Sequence, residues 1–261
     1  MIPAVGIIGF GNMGEAVALG LVRNKQAAHV YQTEGANKAK ALKNKRLTVH
    51  NDLESLVKAS SIVVLAVKPQ AMPRLLEELA PLAKDKAFIS LAAGLSTASF
   101  QKHLGAQIVR FMPNLAAKVG RSVVGVSPGQ DCSPAFAQQA VAVAQAIGTA
   151  VVIPERLMAA VTGLSGSGIA FVFHFIHSLA LGGVREGFAY PQALALALDT
   201  VDGAVSLLRS TGEHPAAFES RVCSPAGTTI EGIRALERGG LTDAVMEAVA
   251  AASRRAQELG S

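Results

Sequence analysis

Three glycines near the amino terminus have the spacing of a phosphate-binding turn. Gly9, Gly11 and Gly14 follow an apolar run, residues 4–8, and precede a segment with helical periodicity. In this setting the first glycine permits a tight turn, the second lets a pyrophosphate approach the backbone, and the third lets the helix pack on the strand. The N–H groups at the start of the helix also attract phosphate. The motif therefore predicts dinucleotide binding rather than a plain glycine-rich turn.

A second motif near the carboxyl terminus has the composition of a small-anion site. Residues 224–230 read Ser-Pro-Ala-Gly-Thr-Thr-Ile and enter a predicted helix, whose first N–H groups would bind a carboxylate. The hydroxyl of Thr229 is placed to donate to a substrate nitrogen or to relay a proton to it. The alternative is structural, because Thr228 and Glu231 have the spacing of a capping box and Ser224 suits a turn. The residues alone leave both interpretations open.

The choice of dinucleotide depends on the residues after the second predicted strand. An acidic residue about 20 positions beyond the glycine motif typically binds the ribose of NAD. Glu34 is close to this place and favours NAD(H), whereas Thr33, Lys38 and Lys40 around it would suit the 2′-phosphate of NADP(H). The residues leave the choice between NAD(H) and NADP(H) open.

The first part of the chain alternates between predicted strands and predicted helices. The strands are expected at residues 4–8, 29–31, 47–50, 61–67, 87–92, 106–112, 122–127 and 150–153. The helices between them are expected at residues 15–24, 37–44, 72–83 and 135–147. This alternation predicts an α/β fold of the Rossmann type, with a parallel sheet covered by helices on both faces.

Beyond Pro154 the pattern is helical throughout. Helices are expected at residues 168–187, 191–208, 216–221, 229–238 and 241–259. Pro191 suits the first turn of a helix, and Gly239 suits the end of one. We therefore expect a dinucleotide-binding domain over residues 1–154 and an all-helical domain over residues 155–261.

One segment, residues 157–184, contains no Asp, Glu, Lys or Arg. About 20 apolar residues are enough to span a bilayer, but a helix that is apolar all round is also typical of a buried position. Gly166, His174 and His177 interrupt the segment, so we expect a helix at a domain or subunit interface rather than in a membrane. The same apolar character predicts that the chain associates with itself as a dimer or a higher oligomer.

The composition limits the classes of function. The net charge is +5 with scattered basic residues, tryptophan is absent and there are two tyrosines, so we expect no nucleic-acid partner. The mild positive charge suits anionic small molecules such as a dinucleotide. Cys132 and Cys223 are the two cysteines, and an apolar strand rather than a signal peptide is expected at the start. Reduced thiols and a cytoplasmic location follow from this pattern.

Two further patterns are interpreted as structural. His174 and His177 have helical spacing, but the sequence places no third ligand near them, so we expect core or interface histidines and no metal site. The small residues at 165–168 lack the strand and spacing of a nucleophile elbow and are expected to allow close packing of helices. Lys68 follows a buried strand and is expected to support the cofactor electrostatically.

With these motifs in order, the chain resembles the pyrroline-5-carboxylate reductase family. The segments that carry the resemblance are residues 9–14, 66–70, 92–94, 110–114, 162–168 and 224–230. That family reduces the C=N bond of a five-membered cyclic imino acid to proline with NAD(P)H. The resemblance implies a nucleotide-binding domain followed by a helical domain that dimerises and binds substrate.

The resemblance also implies roles for individual residues. Thr229 would be the catalytic residue, its hydroxyl bonding the imine nitrogen, and the substrate carboxylate would be held by Ser224, Ala226, Gly227 and Thr228. Residues 66–69 would flank the nicotinamide, and Asn51 would contact the adenosine half. The full set of expected cofactor residues is Gly9, Gly11, Asn12, Met13, Gly14, Thr33, Glu34, Asn51, Ala66, Val67, Lys68, Pro69 and Ala93.

Several positions depart from the family pattern. Ala226 stands where the family usually has glycine, Ile169 and Phe171 stand where it has proline and tyrosine, and Glu34 stands where arginine is common. These departures keep two alternatives in view. One is a reductase of a related cyclic imine or ketimine acid, and the other is a dinucleotide-binding protein without catalytic activity.

Overall fold

The structure is a computed structural model that describes residues 2–32 and 44–259. The predicted helix at residues 37–44 therefore falls almost wholly outside the described residues. Contact density divides the chain into two compact units, one formed by Met1–Ile169 with Ala250–Ser261 and the other by Ala170–Val249. The expected domain boundary near Pro154 stays a prediction.

Eight strands in the described part of the first unit form one sheet. They are β1 (Val5–Ile8), β2 (Ala28–Tyr31), β3 (Leu47–His50), β4 (Ile62–Leu65), β5 (Ala87–Ser90), β6 (Ile108–Met112), β7 (Ser122–Pro128) and β8 (Gly148–Val152). The strand order is β3-β2-β1-β4-β5-β6-β7-β8, so the direction of winding reverses between β1 and β4. In doubly wound sheets this reversal opens a crevice at the carboxyl ends of the two strands, where dinucleotides bind.

The prediction of a parallel sheet was wrong for one pair of strands. Strand β7 runs antiparallel to β6, whereas the other neighbouring strands pair in parallel. A parallel pair needs a crossover of a dozen or more residues. Residues 113–121 are too short for that crossover and form only a 3₁₀ turn, Leu115–Val119, so the chain returns as a hairpin.

Among the described residues, six α-helices accompany the sheet before residue 162. They are α1 (Asn12–Arg23), α2 (Leu53–Ala59), α3 (Met72–Leu79), α4 (Thr97–Leu104), α5 (Pro134–Gln145) and α6 (Met158–Val161). Helices α2, α4 and α6 were missed by the sequence prediction. Each is short, and α2 and α4 begin at side-chain caps, Asp52 and Ser96.

The core of the first unit lies on both faces of the sheet. Ile62 and Val64 belong to one buried cluster, whereas Val63 and Leu65 belong to the other. Successive side chains of a strand point to opposite faces, so a continuous apolar run is what a sheet buried on both sides requires. The sequence prediction from residues 61–67 is confirmed by this arrangement.

The remaining elements are helical, as predicted. A π-helical turn, Thr162–Ser167, precedes α7 (Gly168–Arg185), α8 (Tyr190–Thr211), α9 (Pro215–Val222), α10 (Thr228–Arg238) and α11 (Leu241–Glu258). Pro191 lies in the first turn of α8, and Gly239 caps α10 with Gly240 in the left-handed conformation behind it. By length and composition the helical stretch Glu155–Arg185 is apolar enough to cross a membrane, and 11% of its most apolar window is buried in the single chain.

Candidate active site

The glycine turn after β1 has the geometry that its spacing predicts. Gly9 has a φ of +96°, a conformation that side chains disfavour, and a Cβ there would lie 2.8 Å from the carbonyl oxygen of Ala66. A Cβ on Gly14 would collide with the carbonyl group of Gly9. A Cβ on Gly11 would meet no atom within 4 Å. The first and third glycines thus allow close packing, and the second leaves the backbone open to a ligand.

Helix α1 presents its amino terminus to the same turn. Its N-cap is Gly11, and no side chain of the described residues caps it. The first turn of a helix carries N–H groups and a partial positive charge, which suit phosphate. Lys118 donates to the side chain of Asn12 across 2.9 Å, which adds a positive charge beside this terminus.

The turn borders a cavity at the carboxyl ends of β1 and β4. The cavity has a volume of about 190 Å³ and is lined by Gly9, Phe10, Gly11, Ala66, Val67, Lys68 and Ala71. Five of the predicted cofactor residues therefore share one cavity at the point where the sheet reverses its winding. Pro69 opens the adjoining 3₁₀ turn, Pro69–Ala71, and Lys68 is exposed at its start. These residues fit a nicotinamide dinucleotide.

Two predicted cofactor residues lie elsewhere in the described part of the chain. Ala93 is half-buried in the loop after β5 and does not line this cavity. Asn51 is exposed directly after β3, next to the cap of α2. Thr33 and Glu34 lie outside the described residues, so their contacts with the ribose stay a prediction.

A pair of histidines on the neighbouring strands β2 and β3 was missed by sequence reasoning. His29 Nδ1 lies 3.0 Å from His50 Nε2, and His50 Nδ1 lies 3.1 Å from the hydroxyl of Ser55. Burial lowers the pKa of His29, and the neighbouring His50 lowers it further. The signal in the sequence was one histidine on each of two predicted strands, but only the register of β2 against β3 brings the rings together.

The second motif forms a turn that ends at a helix. The Gly227 N–H donates to the carbonyl oxygen of Ser224 across 3.0 Å, and α10 begins at Thr228. A Cβ on Gly227 would collide with the hydroxyl of Ser224, so only glycine leaves room for that hydroxyl. Thr229 is half-buried in the first turn of α10, whereas Ser224, Ala226 and Thr228 are exposed.

The capping-box part of the structural alternative was wrong, whereas Ser224 does lie in a turn, as that alternative expected. The N-cap of α10 is Gly227, and among the described side chains none caps it, so Thr228 and Glu231 do not form a capping box. The Glu231 carboxylate instead accepts a hydrogen bond from Arg234 across 2.8 Å. Because none of the described side chains caps this terminus, its N–H groups can bind an anion.

Ala226 has an unusual backbone for its residue type. Its φ is +54°, in the left-handed region that favours glycine. This conformation explains why glycine suits the position in the related family. The turn retains its shape with alanine at the cost of local backbone strain.

Two other motifs of the sequence meet in the first unit. The side-chain amide of Asn114 donates to the backbone oxygen of Ser165 across 3.3 Å, and its oxygen accepts the Ala116 N–H across 3.1 Å. Residues 165–167 lie in the π-helical turn Thr162–Ser167, and Gly168 follows it. Such turns are often found at functional sites. His177, which was expected to be a core or interface histidine, contacts the hydroxyl of Tyr190 at 2.9 Å.

The sheet order, the glycine turn and the cavity beside it define a Rossmann-type nicotinamide-dependent oxidoreductase. Residues 4–94 match the family model described as NADP oxidoreductase coenzyme F420-dependent, and residues 155–259 match the one described as pyrroline-5-carboxylate reductase dimerisation. The chain belongs to the pyrroline-5-carboxylate reductase family.

Relatives and solved structures agree over the whole length. A pyrroline-5-carboxylate reductase from Methanosarcina acetivorans is 42% identical over 98% of this chain and 97% of its own. The structure of one from Coxiella burnetii superposes with a TM-score of 0.92 at 29% identity, covering 100% of both chains. A Plasmodium falciparum pyrroline carboxylate reductase with NADP bound gives a TM-score of 0.89 at 28% identity over 99% of this chain and 98% of its own.

Proposed function

We propose that this chain reduces 1-pyrroline-5-carboxylate to L-proline, the last step of proline biosynthesis, with the hydride supplied by NADH or NADPH. The observation that carries the proposal is the full-length similarity to a reductase of that name, at 42% identity. The two motifs that such a reaction needs are both formed, one as the glycine turn after β1 and one as the turn before α10.

The residues of each motif have separate tasks in this proposal. Gly9, Gly11 and the first turn of α1 hold the pyrophosphate, and Lys68 supports the cofactor electrostatically on its nicotinamide side. The N–H groups at the start of α10, with Ser224 beside them, hold the substrate carboxylate. The Thr229 hydroxyl donates a hydrogen bond to the imine nitrogen, which draws electron density from the adjacent carbon and makes it a better hydride acceptor.

The helical part is proposed to pair with a second copy of the chain. Several large apolar side chains of α7 are exposed in the single chain, Phe173 at 54% and Leu181 at 48%. The match of residues 155–259 to a dimerisation family supports a protein partner for this surface. On this view the protein is a cytoplasmic dimer or larger oligomer that binds neither a membrane nor nucleic acid. A monodisperse monomer in light scattering at micromolar concentration would contradict the proposal.

The alternative is a reductase of a related cyclic imine or ketimine acid. The observation that favours it is the methyl group of Ala226, which stands in a strained turn beside the proposed carboxylate site. Turnover of cyclic imine acids with a smaller or larger ring than pyrroline-5-carboxylate would test how much room this turn leaves for the substrate.

Steady-state oxidation of NADH and of NADPH with pyrroline-5-carboxylate tests the function directly. We expect turnover with at least one of them, and a loss of about 100-fold or more in kcat for Thr229→Ala. Thr229→Ser keeps the hydroxyl and is the matched control, for which most of the activity should remain. Cofactor binding without turnover on any cyclic imine acid would instead indicate a binding protein.

A further inference from the structure

The loop between β5 and α4, residues 91–96, contains Ala93 and is held at both ends by polar contacts that are buried or partly buried. At its start the Ala92 N–H donates to the hydroxyl of Ser90 across 3.2 Å. At its end the first residue of α4, Thr97, donates twice to Glu155, from its N–H to Oε1 and from its hydroxyl to Oε2, each across 2.7 Å. The loop between these anchors is the one in which cofactor contact is expected.

Glu155 is itself fixed by a buried arginine. Arg110 donates to Glu155 Oε1 across 2.8 Å, and its side chain is 11% exposed. Arg110 lies on β6, where it is paired with Ser90 of β5 on one side and with Ser127 of β7 on the other. A buried guanidinium needs a carboxylate partner, so the sheet fixes Arg110 and Arg110 fixes Glu155.

The charge state of Glu155 is consistent with this arrangement. Partial burial by itself would raise the pKa of the Glu155 carboxyl, but the hydrogen bonds from Arg110 and Thr97 outweigh it and lower the pKa. The carboxylate therefore stays ionised at neutral pH and accepts all three hydrogen bonds. Such charge-assisted bonds are short and directional.

The same residues border the loop itself. Gly94 and Ser96 line one cavity of about 270 Å³ together with Arg110 and Glu155. Gly94 has a φ of +83°, so the loop turns sharply there and depends on its two anchors for its path. A shift at Thr97 would be transmitted to Gly94 and Ala93 because few residues lie between them.

From these contacts we infer that Arg110, Glu155 and Thr97 are positioning residues that hold the loop of residues 91–96 against the nicotinamide half of the cofactor. The inference rests on the proposed function, because it takes Ala93 to be a cofactor contact. None of the three residues is expected to touch the reacting atoms. We expect these three residues to affect how tightly the nicotinamide ring is bound. They should not affect the adenosine half, whose expected contact, Asn51, follows β3 on the other side of the sheet.

The test compares two ligands on the full-length protein. Thr97→Val removes one hydrogen bond to Glu155 and keeps the shape of the side chain, and Glu155→Gln removes the charge. We expect each variant to weaken binding of the dinucleotide about three- to tenfold, the effect of losing one hydrogen bond, and to lower kcat. Binding of the matching nicotinamide-free fragment, ADP-ribose or its 2′-phosphate, should be unchanged.

Controls separate this inference from a general loss of structure and from the proposed function. Glu78→Gln removes a carboxylate from an exposed ion pair with Arg74 and should change neither affinity. If Glu155→Gln does not fold, Thr97→Val alone decides. Equal weakening of both ligands, or no change in either, would overturn the inference. Absence of turnover in the wild type would reject the proposed function, while the two affinities would still test the loop.

Discussion

The two compact units differ in how they stabilise themselves. The first unit buries large side chains on both faces of its sheet, including Phe88, Phe100 and Phe111. In the second unit, residues 170–249, the buried hydrophobic residues are three alanines, Ala180, Ala193 and Ala197, while large apolar side chains such as Phe173 are exposed. An exposed apolar surface of this kind marks an interaction site. The first unit completes its own core, and the second is proposed to complete its core against another copy of the chain.

The largest expected effect tests the first half of this comparison. Phe88→Ala removes a fully buried aromatic ring from the core of the sheet. We expect it to lower the free energy of unfolding by about 3–5 kcal/mol, because the ring loses its burial and leaves a cavity. Urea unfolding followed by circular dichroism measures the change, which should not depend on protein concentration. A cost below about 1 kcal/mol would contradict a fully packed sheet core.

The matched substitution in the second unit should behave differently. Phe173→Ala removes the same ring from a position that is 54% exposed in the single chain. If a second copy covers this surface, we expect a loss of about 1–3 kcal/mol that appears as a weaker dimer, with unfolding midpoints that fall on dilution. Analytical ultracentrifugation of both proteins across a dilution series measures it. An unchanged association constant would show that the partner does not cover Phe173.

A third prediction concerns how the contribution of Glu155 to stability depends on pH. The pKa of Glu155 is lowered in the folded state, so its stabilising contribution is present above the ordinary glutamate value of about 4.3 and is lost as pH falls through the folded value. Wild type should therefore be more stable than Glu155→Gln at pH 7, and the difference should shrink towards pH 3. Unfolding midpoints over this range measure the effect. A difference that is constant with pH would show that the charge of Glu155 is unimportant.

The smallest effect is expected at the turn before α10. Ala226→Gly places glycine at a φ of +54° and relieves strain, so we expect a gain of up to about 1 kcal/mol in the stability of the turn. The same change removes the methyl group from the proposed substrate site. Thermal unfolding and the KM for pyrroline-5-carboxylate, measured on the same preparation, separate the two consequences. A loss of stability would mean that the methyl group makes a favourable contact.

The comparison also shows what the sequence could predict. The strands of the first unit could be predicted because a sheet that is buried on both faces requires uninterrupted apolar runs, as in residues 61–67. The glycine turn was readable because each glycine has its own steric reason. The helices of the second unit were readable from periodicity, but which of their faces is covered depends on a partner that the sequence of one chain does not specify.

Other features depend on contacts between distant residues. Arg110 on β6 and Glu155 in the turn after β8 are 45 positions apart, and only the folded chain brings their side chains together. The capping box at Thr228 failed because the preceding turn places Gly227, and not Thr228, at the N-cap. The short connection before β7 would have predicted its antiparallel direction. The alternating pattern of strands and helices in the rest of the unit favoured a parallel strand instead.

The first compact unit includes Ala250–Ser261 as well as Met1–Ile169. During synthesis on the ribosome the amino-terminal part emerges first and domains generally fold as units. The sheet of this protein can therefore begin to form early, but its unit receives residues 250–261 only after the whole of the second unit, Ala170–Val249, has been synthesised. Synthesis of the segment that follows the second unit, and not the appearance of the eighth strand, sets the moment at which the first unit is complete.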